Sequence, residues 1–566
     1  MEKTEGCDRR SHSVVVDSDV EMQVRDGTIL RSDIYRPNET GKFPTLVQRT
    51  PYSKNGEVLV EQGHKLAERG YVVVQQDIRG RYRSEGEFMP ALLTSKHMDS
   101  EDGYDAVEWA AVLPWSTGRV GTVGISYNAW TQWELAHKRP PHLVAMMPSA
   151  IAADLLDREL SGVLRLGRAL WWTMNTLAPD FRNRLGDSPG PVTVDEADRL
   201  YVERDRYKWQ WYLPLGDLPD YSLSGMGKHW RSWLKDHAVD NFKFMDRHKD
   251  VSVPALTTTG WYDQQIGAIK HFTGMRQNGM TEEARSWQRL IVGPWSHTLD
   301  FTSQVGEIDF GPEAARDFFQ IADDWFRYWL KGEDSGITEW PQIELFVMGA
   351  NRWRAENEWP LARTEYTDYY LRSDGLLNAQ PPGDEPGDSY DYDPRDPVMT
   401  LFSPVCQQEP YNQRELDDRH DILIYQTPPL DQPVEVTGPV TVNLWATSSA
   451  RDTDFVVKLM DVWPDGFVQE LCHGIVRARY RDSFTSPSLI EPGKPYEYSI
   501  QVHPTSNLFK RGHRIRLDVS SSDFPNFDRN HNTGGDDYFE STLVIAHQTV
   551  HHDAMRPSRV TLPIVS

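Results

Sequence analysis

Short β-rich runs alternate with helical patterns in the first third of the chain, and this alternation limits the fold more than any other feature. Apolar runs recur at FPTLVQRTPY, YVVVQQDI and RVGTVGIS, and the segments between them carry helical spacing. Strands that alternate with helices form a mostly parallel sheet with helices on both faces. Residues 20–37 precede this region and predict a hairpin that turns at Asp26-Gly27.

The pattern changes twice along the chain and divides it into four predicted segments. The α/β pattern occupies 1–150, and from 151 to 245 strand signals give way to helical patterns rich in tryptophan. This change indicates a helical insertion, after which the α/β domain resumes over 246–340. Beyond 340, short strands punctuated by Gly, Pro and Asp predict a jelly-roll β-sandwich over 341–566.

Composition restricts the environment and the partners of the protein. The formal net charge of −24 disfavours nucleic acid and anionic membrane surfaces, which both need positive patches. The three cysteines are widely spaced and form no disulfide framework or CxxC pattern. The N-terminal segment MEKTEGCDRRSHS lacks the apolar run of a signal peptide, and no stretch is long and apolar enough for a membrane span. We therefore predict a cytoplasmic protein that needs no cofactor.

The sharpest local signal is GRVGTVGISYNAW, in which a β-rich run leads into Gly124-Ile125-Ser126 and a helical pattern follows. Such a tight strand-to-helix turn presents a serine hydroxyl at the carboxyl end of a sheet, as in a nucleophile elbow. The backbone amide of Tyr127, at the helix N-terminus, would face a developing oxyanion. The second glycine of the usual GxSxG pattern is replaced by Asn128. Ser126 is therefore the candidate nucleophile.

A serine hydroxyl needs a general base near pH 7, and the base needs a carboxylate that orients it. In α/β-hydrolases these residues follow the serine in the order Asp or Glu, then His. Asp263 comes directly after the run TTTGWY, and His297 directly after LIVGPWS. A single loop histidine is more often solvated or locally hydrogen-bonded, but here both residues stand at strand ends in the expected order. We predict that Ser126, Asp263 and His297 form a catalytic triad.

Five segments of the sequence form a distinctive set: RTPYSK, DIRGRYRSEGEF, GISYNA, GWYD and GPWSH. Together they resemble the signature segments of the cocaine esterase family, whose wider relatives are Xaa-Pro dipeptidyl-peptidases and α-amino acid ester hydrolases. GIVRARYRDS and FPNFDRNHNTGG resemble the jelly-roll domain of the same family, so the resemblance covers nearly the whole chain. It implies an α/β-hydrolase domain with a helical insertion and a C-terminal jelly-roll domain, the activity of a serine hydrolase, and a homodimer.

The resemblance also implies a role for Tyr52, which lies in RTPYSK. By itself, an aromatic residue at a strand end belongs more often to the core. In the family, this tyrosine would donate its hydroxyl to the oxyanion beside the Tyr127 amide, and a phenol is a suitable neutral donor. Asp77 and Arg79, in the DIRG segment, are expected to brace the loop around the site rather than to take part in the chemistry.

The sequence after Asp263 disfavours a substrate with a free α-amino group. The resemblance implies two carboxylates shortly after the acid residue in α-amino acid ester hydrolases, whereas Gln264, Gln265 and Ile266 stand here. Acidic residues of the insertion could replace that pair, although solvated helix charges are commoner; they are Asp154, Asp157 and Glu159. Aromatic and apolar surface is the alternative, although ordinary core is the simpler reading of each such residue. The candidate substrate contacts are Trp171, Trp172, Gln264, Leu401 and Phe402.

The leading hypothesis is a carboxylesterase that forms an acyl-enzyme on Ser126 and takes a small-molecule ester with an apolar or aromatic acyl group. An amidase, an acyl peptidase or an α-amino acid ester hydrolase of the same family would use the same three residues. A carbohydrate-binding or structural protein, suggested by the jelly roll, is disfavoured by the complete triad on one chain.

His547, His551 and His552 lack a regular ligand spacing, so we predict no metal site.

Overall fold

The computed structural model describes most of the chain, and two large sheets organise it. The described residues are 11–90, 97–154, 162–186, 189–223, 225–236, 243–263, 267–403 and 407–566. The strands of the N-terminal part are β1 (Val14–Gln23), β2 (Ile29–Pro37), β3 (Phe43–Thr50), β4 (Val72–Asp77), β5 (Ser116–Ile125), β6 (Leu143–Ser149), β7 (Ala255–Tyr262), β8 (Gln288–Ser296), β9 (Gln304–Val305), β10 (Ile308–Asp309), β11 (Ile343–Val347) and β12 (Arg352–Glu356).

The C-terminal part is built from strands. They are β13 (Thr364–Arg372), β14 (Leu376–Asn378), β15 (Asp388–Tyr392), β16 (Leu423–Gln426), β17 (Val434–Ser448), β18 (Asp454–Val462), β19 (Val468–Arg477), β20 (Tyr496–Phe509), β21 (Arg514–Ser520), β22 (Ala546–Asp553), β23 (Arg556–Pro557) and β24 (Arg559–Val565).

The described α-helices belong to the N-terminal part. They are α1 (Glu57–Ala67), α2 (Asp99–Ala111), α3 (Tyr127–Ala136), α4 (Leu166–Trp171), α5 (Ala178–Leu185), α6 (Val194–Leu200), α7 (Asp220–Leu223), α8 (Gly227–Asp236), α9 (Phe244–Arg247), α10 (Gly267–Asn278), α11 (Glu282–Ser286) and α12 (Phe318–Phe326). Single turns of π-helix continue three of them, at Trp172–Leu177, Tyr201–Asp205 and Arg327–Lys331. Among the described helices, none is both long and apolar enough to cross a bilayer.

The first sheet has the order β1-β2-β4-β3-β5-β6-β7-β8-β11-β12. From β4 to β11 neighbouring strands are parallel, and the outer strands β1, β2 and β12 are antiparallel to their neighbours. The predictions of a mostly parallel sheet and of a hairpin across Asp26-Gly27 are therefore confirmed. Because parallel strands end on the same side, the residues that follow β3, β5, β7 and β8 lie along one edge.

Helices cover both faces of this sheet. Along β4, Val72 and Val74 belong to one buried cluster with α2 and α3, whereas Val73 belongs to another with α1 and α12. Successive side chains of a strand point to opposite faces, so a strand that is apolar at every position must be covered on both sides. This explains the continuous apolar run YVVV in the sequence.

A cap of helices lies between β6 and β7. Its described residues form α4 to α9 and their π-helical turns, and Trp230 and Trp233 are its largest fully buried side chains. The cap begins after Ser149 and returns to the sheet at Ala255, so it stands at the carboxyl end of β6, beside the edge where β5, β7 and β8 end.

The second sheet contains the C-terminal strands and forms one all-β domain. Its strand order is β15-β22-β17-β24-β13-β14-β16-β21-β18-β19, and β20 pairs with β17. Its interior contains a charged cluster in which Arg477 contacts Asp454, Asp528 and Asp537, and each of these four side chains is at most 3% exposed. The domain is joined to the first sheet through β20, because the backbone of Met348 bonds to Ser506 and Leu508.

Candidate active site

Ser126 occupies a strained turn between β5 and α3. Its φ of 61° and ψ of −123° are unusual for a residue with a side chain. The turn is tight: Gly124 has a φ of 149°, and a Cβ atom at that position would lie 2.5 Å from Cβ of Asn128. The Ser126 amide donates to the Ser149 carbonyl at 3.0 Å. The half-buried hydroxyl is thereby presented at the carboxyl edge of the sheet.

The structure brings the three predicted residues together in one hydrogen-bonded line. His297 Nε2 lies 2.9 Å from Ser126 Oγ, and His297 Nδ1 lies 2.8 Å from Asp263 Oδ1. Asp263 is 1% exposed and His297 is 4% exposed, so both are shielded from water. A buried carboxylate on Nδ1 fixes the tautomer in which Nε2 can accept the proton of a serine.

Thr259 supports the carboxylate and was not identified from the sequence. Its hydroxyl donates to Asp263 Oδ2 at 2.9 Å, and the Asp263 amide donates to the carbonyl of Gly260 at 3.0 Å. Both oxygens of Asp263 therefore have partners. TTTGWYD contains three threonines, and no spacing rule distinguishes Thr259 from the other two.

Tyr52 lies beside the serine, after the end of β3. Its hydroxyl accepts a hydrogen bond from the indole of Trp172 at 3.2 Å. Burial raises the pKa of Tyr52, and hydrogen bonds from Trp172, Ser126 and the Tyr127 amide oppose this shift only in part. The phenol is therefore protonated at neutral pH and can donate a hydrogen bond to an oxyanion next to the Tyr127 amide.

Aromatic packing fixes the orientation of these groups. The ring of Tyr127 stacks on that of Trp172 at 6.3 Å and meets the ring of Tyr52 edge-on at 6.5 Å. The Tyr127 hydroxyl points away to Asp99 at 3.1 Å, so the residue contributes its amide rather than its phenol to the site. Trp172 is buried and forms a wall of the site next to Tyr52.

Arg81 fixes the loop that carries Tyr52. The guanidinium is fully buried, and its Nε donates to the Pro51 carbonyl at 2.9 Å. The same group reaches the cap, where it donates to Leu177 at 3.2 Å and pairs with Asp180 at 3.3 Å. One side chain thus connects the sheet edge to the cap.

Asp77 and Arg79 have the bracing contacts that the sequence predicts. Asp77 accepts from the amides of Lys54 and Arg83 at 2.8 and 3.3 Å, and burial raises the pKa of its carboxyl to about 6. Arg79 makes two hydrogen bonds to Asp102, at 2.7 and 2.9 Å. These contacts hold the DIRG loop against β3 and α2.

The C-terminal domain supports the acid residue from the opposite side. Tyr262, which directly precedes Asp263, is 1% exposed. Its hydroxyl donates to the backbone carbonyl of Glu470 at 3.1 Å and accepts a hydrogen bond from the side-chain amide of Gln469 at 2.9 Å. The end of β7 is therefore anchored to β19 of the other domain.

The remaining predicted substrate contacts have other neighbours or lie outside the described residues. The indole of Trp171 donates to Asp198 at 3.0 Å, and Arg168 lies 4.3 Å above its ring. Leu401 and Phe402 are half-buried and line a small cavity in front of His473. Gln264, Gln265 and Ile266 are outside the described residues. Their roles as substrate contacts stay predictions.

Of the acidic residues considered for an ammonium group, Asp154 is among the described residues. Asp154 lies 3.7 Å from Lys270, and Asp157 and Glu159 fall outside the described residues. A cation already neighbours Asp154 in this arrangement.

Within the part of the chain that the structure describes, one group has the spacing of metal ligands, and it belongs to the C-terminal domain. His531, Asp537 and Glu540 each offer an atom within 4.8 Å of the others, but Asp537 also pairs with Arg477 and Arg479. The three histidines considered from the sequence have separate partners. These pairs are His547 with Asp391, His551 with Thr447 and His552 with Asp388.

Comparison with known proteins identifies the family. A cocaine esterase of Rhodococcus sp. (strain MB1 Bresler) is 36% identical, and the match covers 97% of this chain and 98% of that protein. The chain belongs to the cocaine esterase family. Residues 26–299 match the family model described as X-Pro dipeptidyl-peptidase (S15 family), and residues 335–561 match that of the X-Pro dipeptidyl-peptidase C-terminal non-catalytic domain. This member of the cocaine esterase family is therefore a serine hydrolase.

Solved structures share the architecture over the whole length. An aminopeptidase from a Thaumarchaeota archaeon of marine sediment is similar with a TM-score of 0.82 and 25% identity, over 100% of this chain and 98% of that one. An α-amino acid ester hydrolase has a TM-score of 0.78 at 24% identity, over 99% and 98% of the two chains. The predicted fold class, an α/β-hydrolase domain followed by a C-terminal β domain, is confirmed.

Tyr262→Phe tests the anchor between the two domains. The variant removes the hydroxyl that bonds to Gln469 and Glu470. The end of β7, and with it Asp263, is then held less firmly. We expect kcat for 4-nitrophenyl acetate to fall about tenfold to a hundredfold with little change in KM, because small misplacements of catalytic groups are costly. Tyr366→Phe, at a residue that is 54% exposed, is the matched control. An unchanged kcat and an unchanged pH profile would contradict this role.

Proposed function

We propose that this protein is a carboxylesterase that hydrolyses small esters with apolar or aromatic acyl groups through an acyl-enzyme on Ser126. The observation that carries the proposal is the line from Asp263 through His297 to Ser126, with contacts of 2.8 and 2.9 Å. The similarity to a cocaine esterase over nearly the whole chain supports ester hydrolysis.

The geometry supports a two-step reaction. The Ser126 oxygen attacks the ester carbonyl while its proton passes to His297 Nε2, and Asp263 stabilises the imidazolium. The negative charge on the former carbonyl oxygen is met by the Tyr52 hydroxyl and the Tyr127 amide. His297 then protonates the leaving alcohol, which leaves the acyl group on Ser126. Water, deprotonated by the same imidazole, attacks this acyl group and releases the carboxylic acid.

The wall beside the serine supports an apolar acyl group. Trp172 is buried, stacks on Tyr127 and contacts the Tyr52 hydroxyl with its only polar atom. The part of its ring that faces the site is therefore apolar. Flat aromatic surface of this kind binds acyl groups by burying their area from water.

A peptidase or amidase is the second candidate, since the family model and the archaeal relative are described as peptidases. The same three residues would act, but His297 would protonate an amine instead of an alcohol. Relative rates on 4-nitrophenyl esters and the matched 4-nitroanilides distinguish the two functions.

Replacement of the nucleophile should remove the activity. Ser126→Ala is expected to lower kcat for 4-nitrophenyl phenylacetate on the order of a millionfold, as triad removal does in other serine hydrolases. A fluorophosphonate should add its mass to the native chain and to the control Ser483→Ala, but not to Ser126→Ala. If a folded Ser126→Ala keeps more than about a tenth of the native rate, another nucleophile is at work.

Tyr52→Phe should affect the chemical step more than binding. The oxyanion forms only as the reaction proceeds, so the loss of its donor should lower kcat about a hundredfold to a thousandfold, or roughly 3–4 kcal/mol, with KM little changed. Steady-state kinetics on 4-nitrophenyl phenylacetate measure both constants. A normal kcat with a raised KM would instead make Tyr52 part of the pocket wall.

The enzyme should not require a free amino group on the acyl part. A buried ammonium without a paired carboxylate costs several kcal/mol, and Gln264, Gln265 and Ile266 supply none. We therefore expect phenylacetyl esters to be hydrolysed at least as well as phenylglycyl esters, measured as kcat/KM. The N-acetylphenylglycyl ester, which lacks the charge, is the control. A preference of more than about tenfold for phenylglycyl, lost on acetylation, would show an ammonium site.

A further inference from the structure

A second cavity lies inside the cap, apart from Ser126. Its volume is about 350 Å³, within the range of small-molecule sites. We call it the cap pocket, and the lining residues that matter here are Met174, Arg182, Pro191, Leu200, Lys208 and Trp209.

The cap pocket contains a buried cation that forms no direct ion pair with a described carboxylate. Arg182 is 6% exposed, and its Nη1 donates to the Pro191 carbonyl at 3.0 Å. Its Nε is buried and has no hydrogen-bond partner. Among the described residues, no carboxylate lies within ion-pair distance of this guanidinium. Burial lowers the pKa of Arg182, and the more distant carboxylate of Glu196 opposes this shift only in part. Buried arginines are usually paired, so this one has unused capacity for an anion.

A second positive charge lies on the lining of the cap pocket. The exposed ammonium of Lys208 lies 4.3 Å from the ring centre of Trp209 and has no carboxylate partner in the described ranges. Arg204, also on the lining, is already paired with Asp205 at 2.6 Å. The lining therefore has two positive charges that no described carboxylate pairs with directly, in a chain whose net charge is −24.

The rest of the lining is largely apolar. Met174, Leu200 and Trp209 provide hydrocarbon and aromatic surface, and Pro189 and Pro191 border Arg182. Gly190 permits this contact, because a Cβ atom there would lie 2.7 Å from Arg182 Nε. A strongly hydrated inorganic anion would satisfy the charges but leave this surface uncovered. An anion with an apolar body satisfies both.

We propose that the cap pocket binds a small organic carboxylate, with its carboxylate at Lys208 and Arg182 and its apolar body on Met174 and Trp209. The proposal rests on the proposed function, because hydrolysis of an ester with an apolar acyl group releases an acid of this class. Position supports it: Met174 belongs to the turn Trp172–Leu177, whose first residue contacts Tyr52. The cap pocket thus lies behind one wall of the candidate active site.

Calorimetric titration of the full chain with phenylacetate tests the proposal. Ser126 is first blocked with a fluorophosphonate, so that binding at the candidate active site does not contribute. We expect one phenylacetate per chain, and at least tenfold weaker binding of uncharged phenylacetamide and of inorganic phosphate. Equal affinity for phenylacetamide would overturn the role of charge, and equal affinity for phosphate would overturn the role of the apolar body.

Matched variants locate the binding. Lys208→Gln should weaken phenylacetate binding at least fivefold and Arg182→Gln at least tenfold. Arg199→Gln should leave it unchanged, because Arg199 is an exposed residue of α6 that does not line the cap pocket. If Arg182→Gln does not fold, Lys208→Gln decides, and unchanged affinity in it overturns the proposal. If the fluorophosphonate does not react with the chain, the proposed function fails. Phenylacetate titration of the unreacted chain and of Lys208→Gln still tests binding at the cap pocket in that case.

Discussion

The strained backbone at Ser126 is the constraint on which the candidate site depends. A residue with a side chain at positive φ costs on the order of 1–3 kcal/mol, and it persists only where the surroundings fix it. Here β5 enters the turn, α3 leaves it, and the bond from the Ser126 amide to Ser149 ties it to β6. Strand β5 has parallel neighbours on both sides, which hold the turn in place, so the hydroxyl has a fixed position next to His297.

The other two sides of the site are held by distant parts of the chain. Tyr262 connects the base side to β19 of the C-terminal domain, and Arg81 connects the oxyanion side to the cap. The domain that the family description calls non-catalytic therefore reaches the residue next to Asp263. No group of the C-terminal domain has to touch the substrate for that domain to influence the reaction.

The sequence predicted the sheet, the elbow and the three residues at strand ends, because alternation and chain order determine which residues meet at the carboxyl edge. It could not identify Thr259 or the contact between Tyr262 and Gln469. Gln469 is 207 residues from its partner, and nothing local in either segment records the pairing. Arg81 lies in a segment with three arginines in the order Arg79, Arg81 and Arg83, and spacing alone does not show which one is buried. The cap pocket could not be predicted from the sequence either, because it depends on how several helices pack against one another.

The shared contacts of Arg81 connect the position of the cap to the oxyanion side of the site. If the cap moved away from the sheet as a lid, this guanidinium would lose Leu177 and Asp180 while remaining bound to Pro51. Water would then solvate both charged groups, so the ion pair by itself adds little to the free energy of such an opening. The consequence is positional: the side chain that holds the Tyr52 loop would no longer be fixed from the cap side, so the position of the cap and the geometry of the oxyanion donor are linked.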